Sequence, residues 1–424
     1  MRRVAGLVAV IALAGCQAFS LLGEPTTTTS TTSTSTTTTS STTTTTRPPV
    51  VAAGRVTDAG GRPIAGVSVE FGGSMTTTGG DGSFEAMARE AGPLVFSKPG
   101  WQTLEADWAE APMELRMTPA TIRGIRVGAG AAGSDEHYQR LLDLAAATAV
   151  NAFVFDTKQE GGQVLYDTSV ATAHEIGAVD PWYDPAQRVA EAKEAGLYTI
   201  TRIVSLEDAF WVRAHPEEKM AGPWVDPTGP AIREYLVELA VEACEIGFDE
   251  IQLDYVRYAA GRTANVTGQL DMTQEERVAN ISALIEAVRA AVSPMGCALS
   301  ADLFGIVVSF EDDQRLGQRP EELSVHLDAV SPMVYPSHYS EGWLGYPDPN
   351  ARPYEVTADA VDDALPRLAE GAVLRPWLQA FWWTNEQIRE SIRAAEERGV
   401  GWMLWNVGSA FDAAAIPTDE ELGG

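Results

Sequence analysis

Two aspartates carry the best prospects for acid–base chemistry: Asp254, in Gln252-Leu253-Asp254-Tyr255-Val256-Arg257-Tyr258, and Asp302, in Ser300-Ala301-Asp302-Leu303-Phe304-Gly305. Each ends a short apolar run and is followed by aromatic residues. A carboxyl group so placed can attack as a nucleophile when ionised and donate as a general acid when protonated. Cleavage of a glycosidic bond needs one of each. Other apolar runs end in Asp156 and Lys158, in Arg202, in Tyr335 and His338, in Gln379 and Trp382, and in Trp405 and Asn406. With Tyr255 and Arg257 these form the candidate substrate-binding set, since aromatic faces stack on sugar rings and polar side chains bond to hydroxyls.

The immediate neighbours suggest how the two acids differ. Arg257, hydrogen-bonded near Asp254, would favour its charged form, while Ala301, Leu303 and Phe304 would give Asp302 a less polar setting that raises its pKa. Asp156 and Lys158 could pair with each other. About half of Tyr335, Trp382, Trp383 and Trp405 are expected to line a cleft, the rest serving as core. Asp249 and Glu250 precede their apolar run and read as solvated. Competing chemistries find little support. Ser300 has no His nearby to form a triad. With only 5 His in the chain and no Cys/His at ligand spacing, neither a metal nor an organic cofactor is expected, which also weakens a deacetylase reading. Cys244 and Cys297 read as small buried apolar residues or as a disulfide in an exported protein; both readings stand.

The elements that must hold these residues form a repeated strand–loop–helix pattern. Strands are expected at 122–127, 152–156, 198–204, 250–254, 298–302, 329–334, 376–380 and 401–405, each short and continuously apolar, as parallel strands buried on both faces should be. Capping boxes at Thr273-Gln274-Glu275-Glu276 and Thr384-Asn385-Glu386-Gln387 open helices with aligned apolar faces. About eight such units in roughly 300 residues predict an α/β fold, a (β/α)8 TIM barrel over 121–415, whose active site lies at the C-terminal strand ends. An open doubly wound sheet is disfavoured, because no Gly-rich phosphate loop follows the first strand. Ahead of the barrel, residues 50–118 alternate polar and apolar positions between Gly- and Pro-rich turns, as in a small all-β sandwich.

Here the residues resemble known families. Gly247-Phe248-Asp249-Glu250-Ile251-Gln252-Leu253-Asp254-Tyr255-Val256-Arg257-Tyr258, with Asn151 to Lys158, Ser300 to Gly305 and Ser331 to Pro336, looks like the signature of the putative glycosyl-hydrolase domain family, a former domain of unknown function, over about Arg123 to Phe411. The resemblance implies a TIM-barrel glycosidase with Asp254 as nucleophile on strand four and Asp302 as the acid on strand five. Strand six ends without an acid, and amylase-like barrels would carry Glu on strand five. A retaining glycoside hydrolase acting on a polysaccharide is therefore expected; the alternative is a non-catalytic glycan-binding surface protein on the same barrel. The segment Val50 to Met117 resembles the carboxypeptidase regulatory-like domain, which implies a spacer or binding module.

Formal charge and the N-terminus bound where this happens. Fifty-nine Asp and Glu against 30 Lys and Arg give a formal charge of −29, which argues against nucleic acid and against adhesion to anionic lipid, and suits a neutral or cationic substrate. Arg2 and Arg3, an apolar run from Val4 to Ala14 and the sequence Leu13-Ala14-Gly15-Cys16 resemble a bacterial lipoprotein signal over 1–15, with Cys16 as the lipidated residue. Residues 16–49, all Thr or Ser from Thr26 to Thr46, read as a disordered tether. The expected place is the outer face of the bacterial cell membrane, reached only through this anchor. Wild-type protein should then partition with membranes while Cys16→Ala is released or left unprocessed; fractionation showing equal membrane association of both would remove the anchor.

Overall fold

The structure, a computed structural model, describes residues 48–423, so the signal, Cys16 and nearly all of the tether lie outside the described residues. From residue 123 onward the chain forms β1 (Arg123–Val127), β2 (Ala152–Lys158), β3 (Tyr198–Val204), β4 (Glu250–Asp254), β5 (Ala298–Phe304), β6 (Ala329–Val334), β7 (Trp377–Gln379) and β8 (Trp402–Trp405). Each strand pairs in parallel with the next, with Val373–Leu374 bridging β6 ahead of β7. Pairing of β8 with β1 closes the barrel. The expected strands are all present, with ends moved by one or two residues.

Burial on both faces explains why the short strands are largely apolar. In β2, Phe153 and Phe155 point outward into the large core beneath the helices. Ala152 and Val154 point inward, joining Tyr198, Ile200, Trp377 and Met403 in the lumen. Both faces are dry, so both demand apolar residues. The two capping boxes form as expected, opening helices Gln274–Val292 and Asn385–Glu396, with Val278, Ile281, Ile285, Val288, Ile388 and Ile392 buried. A disulfide joins Cys244, on helix Pro230–Ile246, to Cys297 just before β5, across a Cα–Cα distance of 6.1 Å.

Residues 50–116 form a three-stranded sheet, ordered Ser83–Ala88, Val50–Thr57, Met113–Arg116, and a four-stranded sheet, ordered Ser74–Thr77, Ser68–Phe71, Pro93–Ser97, Leu104–Asp107. Val56, Val67, Phe71, Phe84 and Phe96 fill the core between them. This module sits against the N-terminal end of the barrel: Arg62 Nη1 donates to Leu327 O at 2.8 Å and Lys98 Nζ to Gly296 O at 2.5 Å. The C-terminal strand ends are thereby left uncovered by it.

One expectation fails at the barrel bottom. Glu250 is not solvated but 3% exposed, paired with Arg375 and accepting from Ser300 Oγ and, at 3.1 Å, from Tyr198 Oη. Its position at the start of β4 points it into the lumen, where a carboxylate survives only by such pairing. Asp249 is half-buried, accepting from Thr199 N at 2.9 Å and from Lys193 at 2.8 Å. Glu250→Ala leaves Arg375 buried without a counter-charge, which should cost about 3–5 kcal/mol in denaturant unfolding. A loss below about 1 kcal/mol would show that the pair does not hold the barrel bottom together.

Candidate active site

Register brings the acids to one level. Asp156 pairs across from Arg202, and Leu253 from Ala301, so the following residues, Asp254 and Asp302, end adjacent strands side by side. Arg202 lies at their centre, 1% exposed. Its Nε and Nη2 both donate to Asp254 Oδ2, at 2.8 and 2.5 Å, its Nη1 to Asp156 Oδ1 at 3.1 Å, and its Nη2 also to Glu160 Oε1 at 2.5 Å. Trp405 stacks its ring 4.7 Å from the guanidinium carbon. Burial works against the Arg202 charge, yet Asp254, Glu160, Asp156 and Asp302 together hold its pKa well above the usual arginine value.

Asp302 contrasts with Asp254. Its Oδ1 accepts from Trp377 Nε1 at 2.7 Å, while Oδ2 has no hydrogen-bond partner among the described residues and stands 4.0 Å from Arg202 Nε. Burial first, and then the charge of Asp254, push its carboxyl well above the usual aspartate range, outweighing Arg202, Trp377 and Arg375. Asp254 has both oxygens bonded, Oδ2 to Arg202 and Oδ1 to Tyr255 N at 2.6 Å. Tyr255 accepts a positive φ of 50° to make that bond, local strain of about 1–3 kcal/mol of the kind that collects at functional sites. Asp254 Oδ2 and Asp302 Oδ2 lie 2.8 and 4.0 Å from the same nitrogen, so their separation is at most about 7 Å.

A cavity of about 260 Å³ opens over this group, lined by Arg202, Asp254, Asp302, Tyr255, Arg257, Tyr335, His338 and Trp405 together with Glu160, Phe304, Met333, Tyr339 and Trp377. Burial raises the Tyr335 hydroxyl well above its usual range, with Asp302 and Asp254 adding to it; it pushes Tyr255 up to about 12 and lowers the His338 imidazole. Arg202 keeps Glu160 below the ordinary glutamate value against its burial. Among the described residues no group of His, Cys, Asp and Glu is arranged to hold a metal ion.

Several expected site residues make other contacts than expected or lie outside the cavity. Arg257 does not bond Asp254; Arg202 does, because it reaches across from β3 at the same height, whereas Arg257 turns back to donate to Tyr258 O at 3.0 Å. Asp156 and Lys158 do not pair. Both point into the packed interior, Asp156 toward Arg126 and Arg202, Lys158 toward Asp208 at 2.8 Å and Val204 O at 2.7 Å. Gln379 is spent on Ser337 N and Phe381 O, and Asn406 on Ala380 O and the turn at Gly408. Trp382 is 85% exposed outside the cavity, and Trp383 donates to Asn350 at 2.7 Å. Ala301 and Leu303 face the outer core, so burial in the lumen and Asp254 itself set the state of Asp302.

Two participants escaped the strand-end reading. Trp377 begins its strand rather than ending it, and only the short, tilted β7 carries its indole to Asp302. Glu160 lies beyond the end of β2, in the turn Gln159-Glu160-Gly161-Gly162; its signal was a carboxylate beside a paired glycine, where backbone bends sharply.

Fold and site define a TIM barrel with two unlike carboxyl groups at its C-terminal mouth. Residues 124–411 match the family described as "Putative glycosyl hydrolase domain", and the chain belongs to that family. Among solved structures, a hypothetical protein from Ruminiclostridium thermocellum ATCC 27405 is 30% identical over 43% of this chain and 99% of its own, with a TM-score of 0.37. The spore cortex-lytic enzyme SleL of Bacillus cereus is 11% identical, over 74% of this chain and 76% of its own, with a TM-score of 0.45. The α-galactosidase TtGalA of Thermus thermophilus is 16% identical, over 84% and 74%, with a TM-score of 0.45. No curated protein matches.

The raised pKa of Asp302 has a thermodynamic consequence. A carboxyl whose folded pKa exceeds its unfolded value stabilises the fold fully below about pH 4, and that contribution is lost as pH rises through the folded pKa. Asp302→Asn cannot ionise and keeps an acceptor for Trp377. Its melting temperature should therefore exceed that of the wild type at pH 8, with the gap narrowing toward pH 5. Parallel curves across that range would show that the folded pKa of Asp302 is not raised.

Proposed function

We propose that this protein is a glycoside hydrolase held at the outer face of a bacterial membrane through lipidated Cys16, acting on a polysaccharide. Membership of the glycosyl hydrolase domain family supports the class. The observation that carries the reading is the pair of carboxyls on either side of Arg202, one fully bonded and one buried with an unbonded oxygen, opening on the same cavity. Pairs of acids whose surroundings drive their pKa values apart are the mark of acid–base division of labour. In this mechanism Asp302 gives its proton to the leaving glycosidic oxygen as that bond breaks, while an Asp254 oxygen bonds to the anomeric carbon. Asp302, now ionised, takes a proton from water, which displaces Asp254 and regenerates both groups.

The near oxygens of the two carboxyls, Asp254 Oδ2 and Asp302 Oδ2, are within about 7 Å of each other, which accommodates the roughly 5–5.5 Å of retaining enzymes, and we favour retention. A purely glycan-binding barrel would need neither a buried acid with a raised pKa nor the strain at Tyr255. The N-terminal sandwich fits a spacer like the carboxypeptidase regulatory-like module, because it contacts the barrel end opposite the site.

A soluble form beginning near Val50, offered a panel of polysaccharides and aryl glycosides, should release reducing sugar. Asp254→Asn should lower turnover by at least about 10³-fold while retaining fold, since it removes the nucleophile without changing shape. NMR should show the first-formed product with its anomeric configuration kept. Unchanged turnover in Asp254→Asn would defeat the assignment.

A further inference from the structure

The two guanidinium groups that line the cavity are supplied very differently. Arg202 hydrogen-bonds three carboxylates and has a fourth, Asp302, at 4.0 Å, whereas Arg257 meets none within ion-pair distance among the described residues. Arg257 is nevertheless only 7% exposed. Its Nη1 bonds one carbonyl, and its Nε is buried without a partner among the described residues. Trp224, Tyr255 and Phe304 place their rings 4.8, 5.0 and 5.0 Å from its central carbon. These rings crowd the guanidinium but accept no strong hydrogen bond, so its unused N–H donors are its route to a further partner. Burial lowers its pKa, with Asp254, Tyr255 and Glu207 opposing from beyond bonding distance.

A buried cation with open donors, at the wall of a cavity, calls for an anion. A sugar hydroxyl could complete one hydrogen bond but would leave the charge uncompensated; a carboxylate supplies both charge and the matching forked geometry. Asp254 does not stand in the way, because its own charge is held by Arg202. We propose that Arg257 receives a carboxylate of the substrate, so that the glycan is acidic, bearing a uronic acid or a carboxyl-substituted sugar at the ring that occupies this cavity. The proposal rests on the cavity being the glycan site. The overall charge of −29 opposes a polyanion at long range, but salt screens it beyond about 8 Å, and inside the cavity the local cation decides.

The test measures binding apart from turnover. Polygalacturonate, hyaluronan, alginate and xanthan fragments, each paired with its carboxyl-reduced neutral form, are titrated by calorimetry into the Asp254→Asn protein, alone and combined with Arg257→Gln or Arg257→Lys. At least one acidic fragment should bind tenfold or more tightly than its reduced partner. Arg257→Gln should bring that ratio close to one, and Arg257→Lys should keep part of it, since the charge remains and the fork is lost; circular dichroism confirms that both are folded. If no acidic fragment outbinds its reduced partner, or if the ratio survives Arg257→Gln, the proposal falls. Turnover of the same fragments by the protein with Asp254 intact judges the hydrolase reading separately: selective binding without cleavage defeats that reading and leaves this one standing, and cleavage confined to the reduced forms does the reverse.

Discussion

A guanidinium in the lumen of a closed barrel is a charge with no water to share it, and the upper half of this barrel is arranged around that demand. Arg202 draws Asp156, Asp254 and Glu160 into one ion cluster and brings Trp405 against its face. Each of these partners arises from a different strand or loop, so the cluster forms only when β2, β3, β4 and β8 have closed in the observed register. Removing Arg202 would leave several buried carboxylates without the counter-charge they share, which makes the cluster intolerant of slippage between β3 and its neighbours.

The same cluster produces the asymmetry on which chemistry can draw. Because Arg202 is already committed to three acids, it reaches Asp302 only at 4.0 Å. Asp302 is left with an indole donor, a deeply buried position and a charged neighbour, conditions that favour its proton. One arginine thus separates two chemically identical side chains on adjacent strands: one with both oxygens bonded, and one with an unbonded oxygen whose pKa burial and its neighbour raise. Arg257 extends the logic to the cavity wall, where a cation is buried among rings with no carboxylate within ion-pair distance among the described residues.

The lower end of the barrel carries a second ion cluster, Glu250 with Arg375, Ser300 and Tyr198. The Glu250 cluster thus lies at the lumen floor and the Arg202 cluster at its mouth, with buried Gln252 and Ser331 between them. The N-terminal sandwich binds the floor end through Arg62 and Lys98, and this leaves the mouth accessible.

The barrel was legible in the sequence because its cause is local: a strand dry on both faces must be apolar throughout, and helices must be capped, so Ala152–Lys158 and the Thr273 box announce themselves. Asp254 and Asp302 were legible for a related reason, since a carboxylate that interrupts such a run at its C-terminal end has the mouth as its place. Partnership was not legible. Arg257 stands three residues from Asp254 and does not bond it, while Arg202 is 52 residues away and does. Lys158 and Asp156 are sequence neighbours in one strand that bind to different partners, and Glu250, at the start of its run, is buried rather than solvated. Distances between side chains on neighbouring strands are set by register and barrel closure, long-range quantities that no window of sequence contains; residue types and their order specified which groups reach the mouth, and only the closed sheet decided which of them meet.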